Sequence, residues 1–344
     1  MPNTVVIDLL SFSISEEEKN LLLHPEVGGL LLFTRNIQSR AQLSALIASV
    51  RSIRPDIIIM IDHEGGYVQR IQRHGFTSLP AAKHYGTLFD LSPDVGLEFA
   101  RVQGHVMASE LIACGIDLSL APVLDLHNPD SQVIGQLDRA FHADPDTLTA
   151  LANAFIQGMH EAGMPSVGKH FPGHGSCVGD SHLTVPTNHK PVDELWRSDL
   201  KPFIDLIESN ALDGIMPAYV LYPAIDSANT AGYSSRWLGH ILRDELKFDG
   251  LVISDCLGMK GADVGDLPTR AQQALDAGCD LLIAGNQERA TLLHLLNNIS
   301  QARVPERERR FNAFKDKITR VPQKESQVAD VEVIADAFNR TLGV

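Results

Sequence analysis

The sequence predicts an α/β fold, a (β/α)8 TIM barrel with extra C-terminal helices, and three observations carry that prediction. Short β-rich apolar runs alternate with longer amphipathic ones along the chain. The short runs are continuously apolar rather than alternating, which suits parallel strands covered on both faces. Eight strand–helix units succeed one another, and eight such units favour a closed barrel over an open sheet.

Taken in order, the strand candidates are Thr4–Leu10, Leu30–Thr34, Ile57–Asp62, Leu118–Leu126, Ser166–His170, Gly214–Tyr219, Leu251–Asp255 and Asp280–Ala284. Helical segments separate them. Ser15 caps "SEEEKNLLL", with acids in the first turn where the helix dipole favours them. "SRAQLSALIASVRSI" starts at Ser39, and "LSPDVGLEFARVQGHVMASELIACG" stops at Gly115. "DPDTLTALANAFIQGMHEAG" has Pro145 at its start and Gly163 at its end. "VDELWRSDLKPFIDLIES", "SRWLGHILRDELK", "LPTRAQQALDAG" and "ERATLLHLLNNIS" complete the alternation. Two further helices, within Pro305–Arg320 and Gln327–Thr341, are expected to pack outside. No Pro/Ser-rich linker or short-period repeat interrupts the chain, so residues 1–344 are expected to form one catalytic domain.

Composition limits what such a domain does. With 44% hydrophobic and 21% charged residues the chain is ordinary globular material. A net charge of −14 argues against nucleic acid or an anionic membrane as partner, since both reward basic stripes. The basic cluster around Arg303–Lys317 is interleaved with Glu306, Glu308 and Asp316, as on a solvated helix face. "LLLHPEVGGLLLF" is too broken to span a bilayer, and the start of the chain does not read as a signal peptide. The four cysteines, Cys114, Cys177, Cys256 and Cys279, form no metal or redox pair motif. Free thiols in a reducing cytoplasm are the expectation. A monomer without metal or other cofactor is expected.

In a barrel, chemistry gathers at the C-terminal ends of the strands. The polar residues there are Thr34-Arg35, Asp62, Asp125, Lys169-His170, Tyr219, Asp255 and Asn286. Any one of them can be a cap or turn residue. Several converging on one rim are harder to explain that way. Asp255 ends "GLVISD", which aims a carboxylate into a walled pocket as nucleophile, base or metal ligand.

"KHFPGHGSCVGDSH", Lys169 to His182, leaves strand five. Its glycines and prolines forbid a helix until about Pro191, so residues 172–190 are expected to form a mobile lid. The glycine spacing fits no phosphate loop. His170, His174, Asp180 and His182 are of metal-ligand type, which keeps a barrel metallohydrolase as one alternative. Proton transfer is another reading. In Asp180-Ser181-His182 the two-residue spacing in extended chain puts both side chains on one side. Asp180 can then hold one imidazole nitrogen of His182 and leave the other to carry a proton. A mere brace of the loop through the same hydrogen bonds fits the spacing equally well. His174 reads as a brace of the PGHG turn.

Three separated stretches, "IDHEGGYVQR" (Ile61–Arg70), "GKHFPGHGSCVGDSH" (Gly168–His182) and "VISDCLGM" (Val252–Met259), resemble glycoside hydrolase family 3. The likeness is to its single-domain β-N-acetylglucosaminidases of the NagZ type, and it runs from about Asp8 to Asn286. It implies a retaining β-N-acetylhexosaminidase acting on GlcNAc-containing peptidoglycan fragments in cell-wall recycling. It implies Asp255 as nucleophile, His182 as general acid/base and Asp180 as its partner, in place of the usual two carboxylates. It implies Asp62, Arg70, Lys169, His170 and Arg139 as the grip on the terminal sugar. The partner implied is a muropeptide or other GlcNAc glycoside. A histidine acid/base is neutral once its proton is given, which leaves phosphorolysis open beside hydrolysis.

This chain departs from the family pattern at several places. Cys256 stands for a second Asp, Tyr67 for an Arg, His63 for a Gln and Tyr219 for a His. The stretch before Arg139 is two residues longer than usual. A catalytically inactive GlcNAc-binding barrel is the alternative these departures suggest.

Overall fold

The computed structural model describes residues 4–72, 75–181, 183–299 and 304–318. It is an α/β fold built on parallel strands. We number the parallel strands β1 (Val5–Asp8), β2 (Val27–Leu32), β3 (Ile58–Ile61), β4 (Leu118–Ser119), β5 (Val167–Phe171), β6 (Gly214–Pro217), β7 (Leu251–Val252) and β8 (Leu282–Ile283). Five of them pair in the order β8-β1-β2-β3-β4, and three in the order β7-β6-β5. Single parallel bridges link the two sheets on both sides, Val123 to Lys169 and Ile253 to Leu281.

The continuous apolar runs have the predicted cause. Alternate residues serve two cores. Val5, Ile7, Leu30, Leu32, Ile59 and Ile61 face the helices and join the large cluster. Val6, Leu31, Ile58, Met60 and Met216 face the other way, into a smaller cluster to which all eight strands contribute. Phe311 and Phe314, on the helix Pro305–Asp316, join that smaller cluster.

Most expected helices form, and Ser15, Ser39 and Gly163 bound them as read from sequence. Ser15 and Glu18 make a reciprocal capping box, with Glu18 N–H donating to Ser15 Oγ at 3.2 Å. Asp144 caps Pro145–Ala162, which ends on Gly163 in the left-handed region. "VDELWRSDLKPFIDLIES" splits into Val192–Arg197 and Lys201–Glu208. Asp199 lies between them, fully buried, and takes hydrogen bonds from Lys190 Nζ at 2.7 Å and Ser198 Oγ at 2.9 Å. Pro202, lacking an N–H, sits in the first turn of the second piece.

The fourth strand is shorter than Leu118–Leu126, because Pro122 has no N–H to give a ladder. Residues beyond it still lie along β5, with Val167 N–H bonding to Ala121 O at 2.8 Å. The expected helix Gln327–Thr341 lies outside the described residues. Among the described residues no helix is long and apolar enough to cross a membrane.

Candidate active site

The C-terminal ends of the strands open on a cavity of about 510 Å3, a size suited to a small ligand. Asp62, Arg70, Arg139, Lys169, His170, Asp180 and Asp255 all line it. His182 lies outside the described residues; its neighbour Ser181 lines the cavity. Leu31, Leu120, Met216 and Ile283 supply an apolar part. A larger, more open groove of about 740 Å3 lies against the helices Glu16–Leu22 and Arg40–Ile53, and Lys19 is its one ionisable lining residue.

Asp62 and Glu64 organise one corner. The chain leaves β3 into a hairpin, His63–Gly65 paired with Val68–Gln69. Extended residues two apart point the same way, so Asp62 and Glu64 both reach Lys169. Lys169 Nζ stands 2.9 Å from Asp62 Oδ1 and 2.6 Å from Glu64 Oε1. Arg139 grips Glu64 with two bonds of 2.8 Å, the paired geometry a guanidinium and a carboxylate favour. Arg70 approaches Asp62 Oδ2 at 3.5 Å.

Burial alone would raise the Asp62 and Glu64 carboxyls. Lys169 and Arg70 outweigh it at Asp62, and Arg139 and Lys169 at Glu64, so both are held below their usual range. Lys169 is buried, yet the same two carboxylates push its ammonium up against desolvation. All of these groups stay charged near neutrality. Glu64 was not singled out as a site residue from sequence. The two-residue spacing from Asp62 was the available signal.

Behind the cavity, Asp125 orients the end of β5. Its Oδ2 lies 2.6 Å from His170 Nδ1, and its Oδ1 accepts the N–H of His174 at 2.6 Å. Burial opposes the Asp125 charge, but His170 and the hydrogen bonds hold the carboxyl low. A carboxylate can only accept, so His170 Nδ1 carries the hydrogen. That leaves Nε2 as the ring nitrogen not committed to Asp125. In the PGHG turn, a Cβ on Gly175 would fall 2.0 Å from Leu126 O, so only glycine fits there.

Asp255, just past β7, is half-buried. Among the described residues its carboxylate accepts one hydrogen bond, from Cys256 N–H to Oδ1 at 2.7 Å. Its main-chain carbonyl accepts from Ser254 Oγ at 2.8 Å and Tyr219 Oη at 3.3 Å. The four departures from the family pattern therefore take distinct places. Tyr219 supports the Asp255 main chain from the core, where its ring packs 5.0 Å from that of Tyr233. Cys256 lines the cavity, and burial pushes its thiol up to about 11, so it is uncharged. His63 is buried, and burial, with Arg70 adding to it, lowers its imidazole to about 3. Tyr67 is 76% exposed.

The remaining rim residues have structural partners. Asp8 is fully buried and pairs with Arg35 and with Arg289, the latter at 2.8 Å. Arg35 also donates to Asn286 Oδ1 at 2.8 Å, tying the ends of β1, β2 and β8 together. Among the described residues no group of three or more His, Cys, Asp or Glu side chains is placed to hold a metal ion.

This arrangement offers charged donors and acceptors to a polyhydroxylated ligand, with a lightly bonded carboxylate alongside. Comparison with known proteins points the same way. The family model for the glycosyl hydrolase family 3 N-terminal domain matches residues 4–321. A β-hexosaminidase of Methylococcus capsulatus is 49% identical over 296 residues, 85% of this chain and 86% of that protein. One from Pseudomonas aeruginosa is 46% identical over 296 residues, 86% of each chain. The crystal structure of NagZ from Neisseria gonorrhoeae in complex with N-trifluoroacetyl-D-glucosamine superimposes with a TM-score of 0.89 at 37% identity, covering 98% of both chains. NagZ of that organism has also been solved in complex with zinc ion, and aligns at a TM-score of 0.89 and 36% identity, covering 100% of this chain and 98% of that one. This chain belongs to glycosyl hydrolase family 3 and is a glycoside hydrolase of the β-N-acetylhexosaminidase kind.

Proposed function

We propose that the chain is a retaining enzyme that removes terminal β-linked GlcNAc from peptidoglycan fragments, GlcNAc–anhydro-muramyl peptides among them, in cytoplasmic cell-wall recycling. The observation that carries this reading is the contrast within one cavity. Among the described residues Asp255 keeps its lone pairs almost free, while Asp62, Arg70, Lys169, Glu64 and Arg139 form a charged, cross-linked set beside it, with His170 held separately by Asp125. The complex of the Neisseria NagZ with N-trifluoroacetyl-D-glucosamine supports a GlcNAc-like ligand in that space.

In this reading the cross-linked residues hold the hydroxyls of the terminal sugar. Asp255 attacks the anomeric carbon as His182 gives its proton to the leaving oxygen. The products of that step are a glycosyl ester on Asp255 and the free aglycone. His182, held by Asp180, then takes a proton from water as its oxygen attacks the anomeric carbon, which breaks the bond to Asp255, releases GlcNAc and restores the carboxylate. Positive charge develops on the ring in both steps, and a preorganised anion stabilises it without having to move. We further propose that the two sheets close as one (β/α)8 barrel domain acting as a monomer. The two single bridges and the shared inner cluster of all eight strands support closure.

The test is to trap the intermediate with a 2-acetamido-5-fluoro glycoside and map the labelled residue by peptide mass spectrometry. A label on Asp255 is expected. A label elsewhere, or turnover with inversion and no label, overturns the reading.

A further inference from the structure

Between Val178 and Val185 the loop after β5 turns outward, with Val178 57% exposed, Leu183 71% and Val185 50%. Among the described residues of that stretch Ser181 alone is buried, at 3%. A small polar residue gains little from burial for its own sake, so its contacts explain the placement. Its Oγ lies 3.1 Å from His174 Nε2. Its carbonyl accepts the N–H of Gly261 at 2.8 Å. Gly261 belongs to the same loop as Asp255. A Cβ at Gly261 would lie 3.0 Å from Ser181 O, Tyr219 Cβ and Tyr219 O alike, so the two segments are closely packed there.

Both partners of Ser181 are themselves fixed. His174 is buried, and its main chain is held by Asp125, the residue that also orients His170. Burial lowers the His174 imidazole, which keeps the ring neutral beside Ser181. The loop from Asp255 to Ala262 is held at one end by Tyr219, at 3.3 Å from Asp255 O, and at the other by Tyr233, at 2.9 Å from Ala262 O. Ser181 thus sits where two fixed regions meet, next in sequence to Asp180.

We propose that Ser181 is a positioning residue that ties the segment carrying the proton donor to the loop carrying the nucleophile, through His174 on its side chain and Gly261 on its main chain. The inference rests on the reading of Asp180 and His182 as the proton-transfer pair. It assigns a function to His174 as well: the ring braces the far end of the loop, beyond the PGHG turn expected from sequence.

The experiment compares kcat/KM for phenyl and 2,4-dinitrophenyl β-GlcNAc glycosides in wild type, Ser181→Ala, His174→Ala, the double variant and His182→Ala. A positioned acid helps a poor leaving group far more than a good one. Ser181→Ala is therefore expected to lose about tenfold with the phenyl glycoside and less than about threefold with the dinitrophenyl one, a part of the ~100- to 10,000-fold a general acid supplies. His174→Ala is expected to show the same selectivity and to add nothing to Ser181→Ala, because both break one contact. Should Ser181→Ala fail to fold, His174→Ala carries the same comparison. Equal losses on both glycosides, or no loss on the phenyl glycoside, overturn the inference while a selective loss in His182→Ala keeps the proton-transfer reading. An unselective His182→Ala overturns that reading and the inference with it.

Discussion

Asp62 and Glu64 on one side of the cavity, and Asp255 on another, are carboxylates at the same end of the same parallel strands. Asp62 has Lys169 at 2.9 Å and Arg70 at 3.5 Å, and Glu64 has Lys169 at 2.6 Å and Arg139 at 2.8 Å. Asp255 has one main-chain N–H, that of its own neighbour. The first pair spend their lone pairs on resident cations, and so hold those cations still for a ligand. Asp255 has no resident cation among the described residues. In the proposed mechanism its counter-cation is the sugar ring, charged only while the glycosidic bond breaks. An interaction made only then speeds the reaction, whereas one made equally in the ground state only tightens binding.

Asp255→Ala sets the upper end of that contrast. Loss of the proposed nucleophile is expected to cut release of 4-methylumbelliferone from its β-GlcNAc conjugate by about 10,000-fold or more. Because one hydrogen bond is lost, the thermal midpoint should move little. Wild-type-like turnover in this variant would remove the distinction between the two sets of carboxylates altogether.

Glu64→Gln probes the other set, and here stability and affinity should respond together. Removing one charge from a buried cluster leaves Arg139 and Lys169 short of a partner, at a cost of about 3 kcal/mol. A misplaced grip should raise KM about tenfold with a smaller change in kcat. The pH dependence has a definite sign. The folded Glu64 carboxyl lies well below its unfolded value of about 4.3, so its contribution is complete above that value. It is lost as pH falls through the folded value. The gap in unfolding free energy between wild type and Glu64→Gln should therefore be constant from pH 7 to about 5, then narrow below about pH 4. A gap that widens in acid contradicts the ion-paired assignment.

The two sets were not equally legible in the sequence. Asp255 could be read from its place at the end of an apolar strand. The role proposed for it rests on how few partners it has among the described residues, which no spacing reports. The Asp62–Glu64 set could be half read. Asp62, Arg70 and Lys169 lie in stretches that resemble a family, but the pairing of Glu64 with Arg139 joins residues 75 apart in sequence. The two-residue spacing that linked Asp180 to His182 applies equally to Asp62 and Glu64, and only the first use of it was made. The strands were read from their continuous apolarity, and the structure shows the two cores that require it. Strand four was read too long, because an apolar run does not show where Pro122 ends the ladder. Ser181 was invisible as anything but a spacer, since its burial depends on Gly261, 80 residues on.

Tyr219→Phe should give the smallest effect and the sharpest view of how Asp255 is held. The phenol stands where the family resemblance places a histidine, and burial pushes its pKa well up, so it acts as a neutral donor. Its bond to the Asp255 carbonyl is long, at 3.3 Å, and that carbonyl keeps a second donor, Ser254 Oγ at 2.8 Å. A neutral hydrogen bond contributes about 1 kcal/mol at most in such a place, so kcat should fall less than about fivefold with KM unchanged. The ring, which packs on Tyr233 and Gly232, is retained in phenylalanine, as are the Cβ and main chain that face Gly261, so the Ser181 contact should survive. Kinetics on 4-methylumbelliferyl β-GlcNAc, with the thermal midpoint measured alongside, check this. A loss near that of Asp255→Ala would mean that the carboxylate is aimed through the phenol rather than by its own strand. The lightly bonded Asp255 would then be no freer than the ion-paired Asp62 and Glu64, only held from the main-chain side.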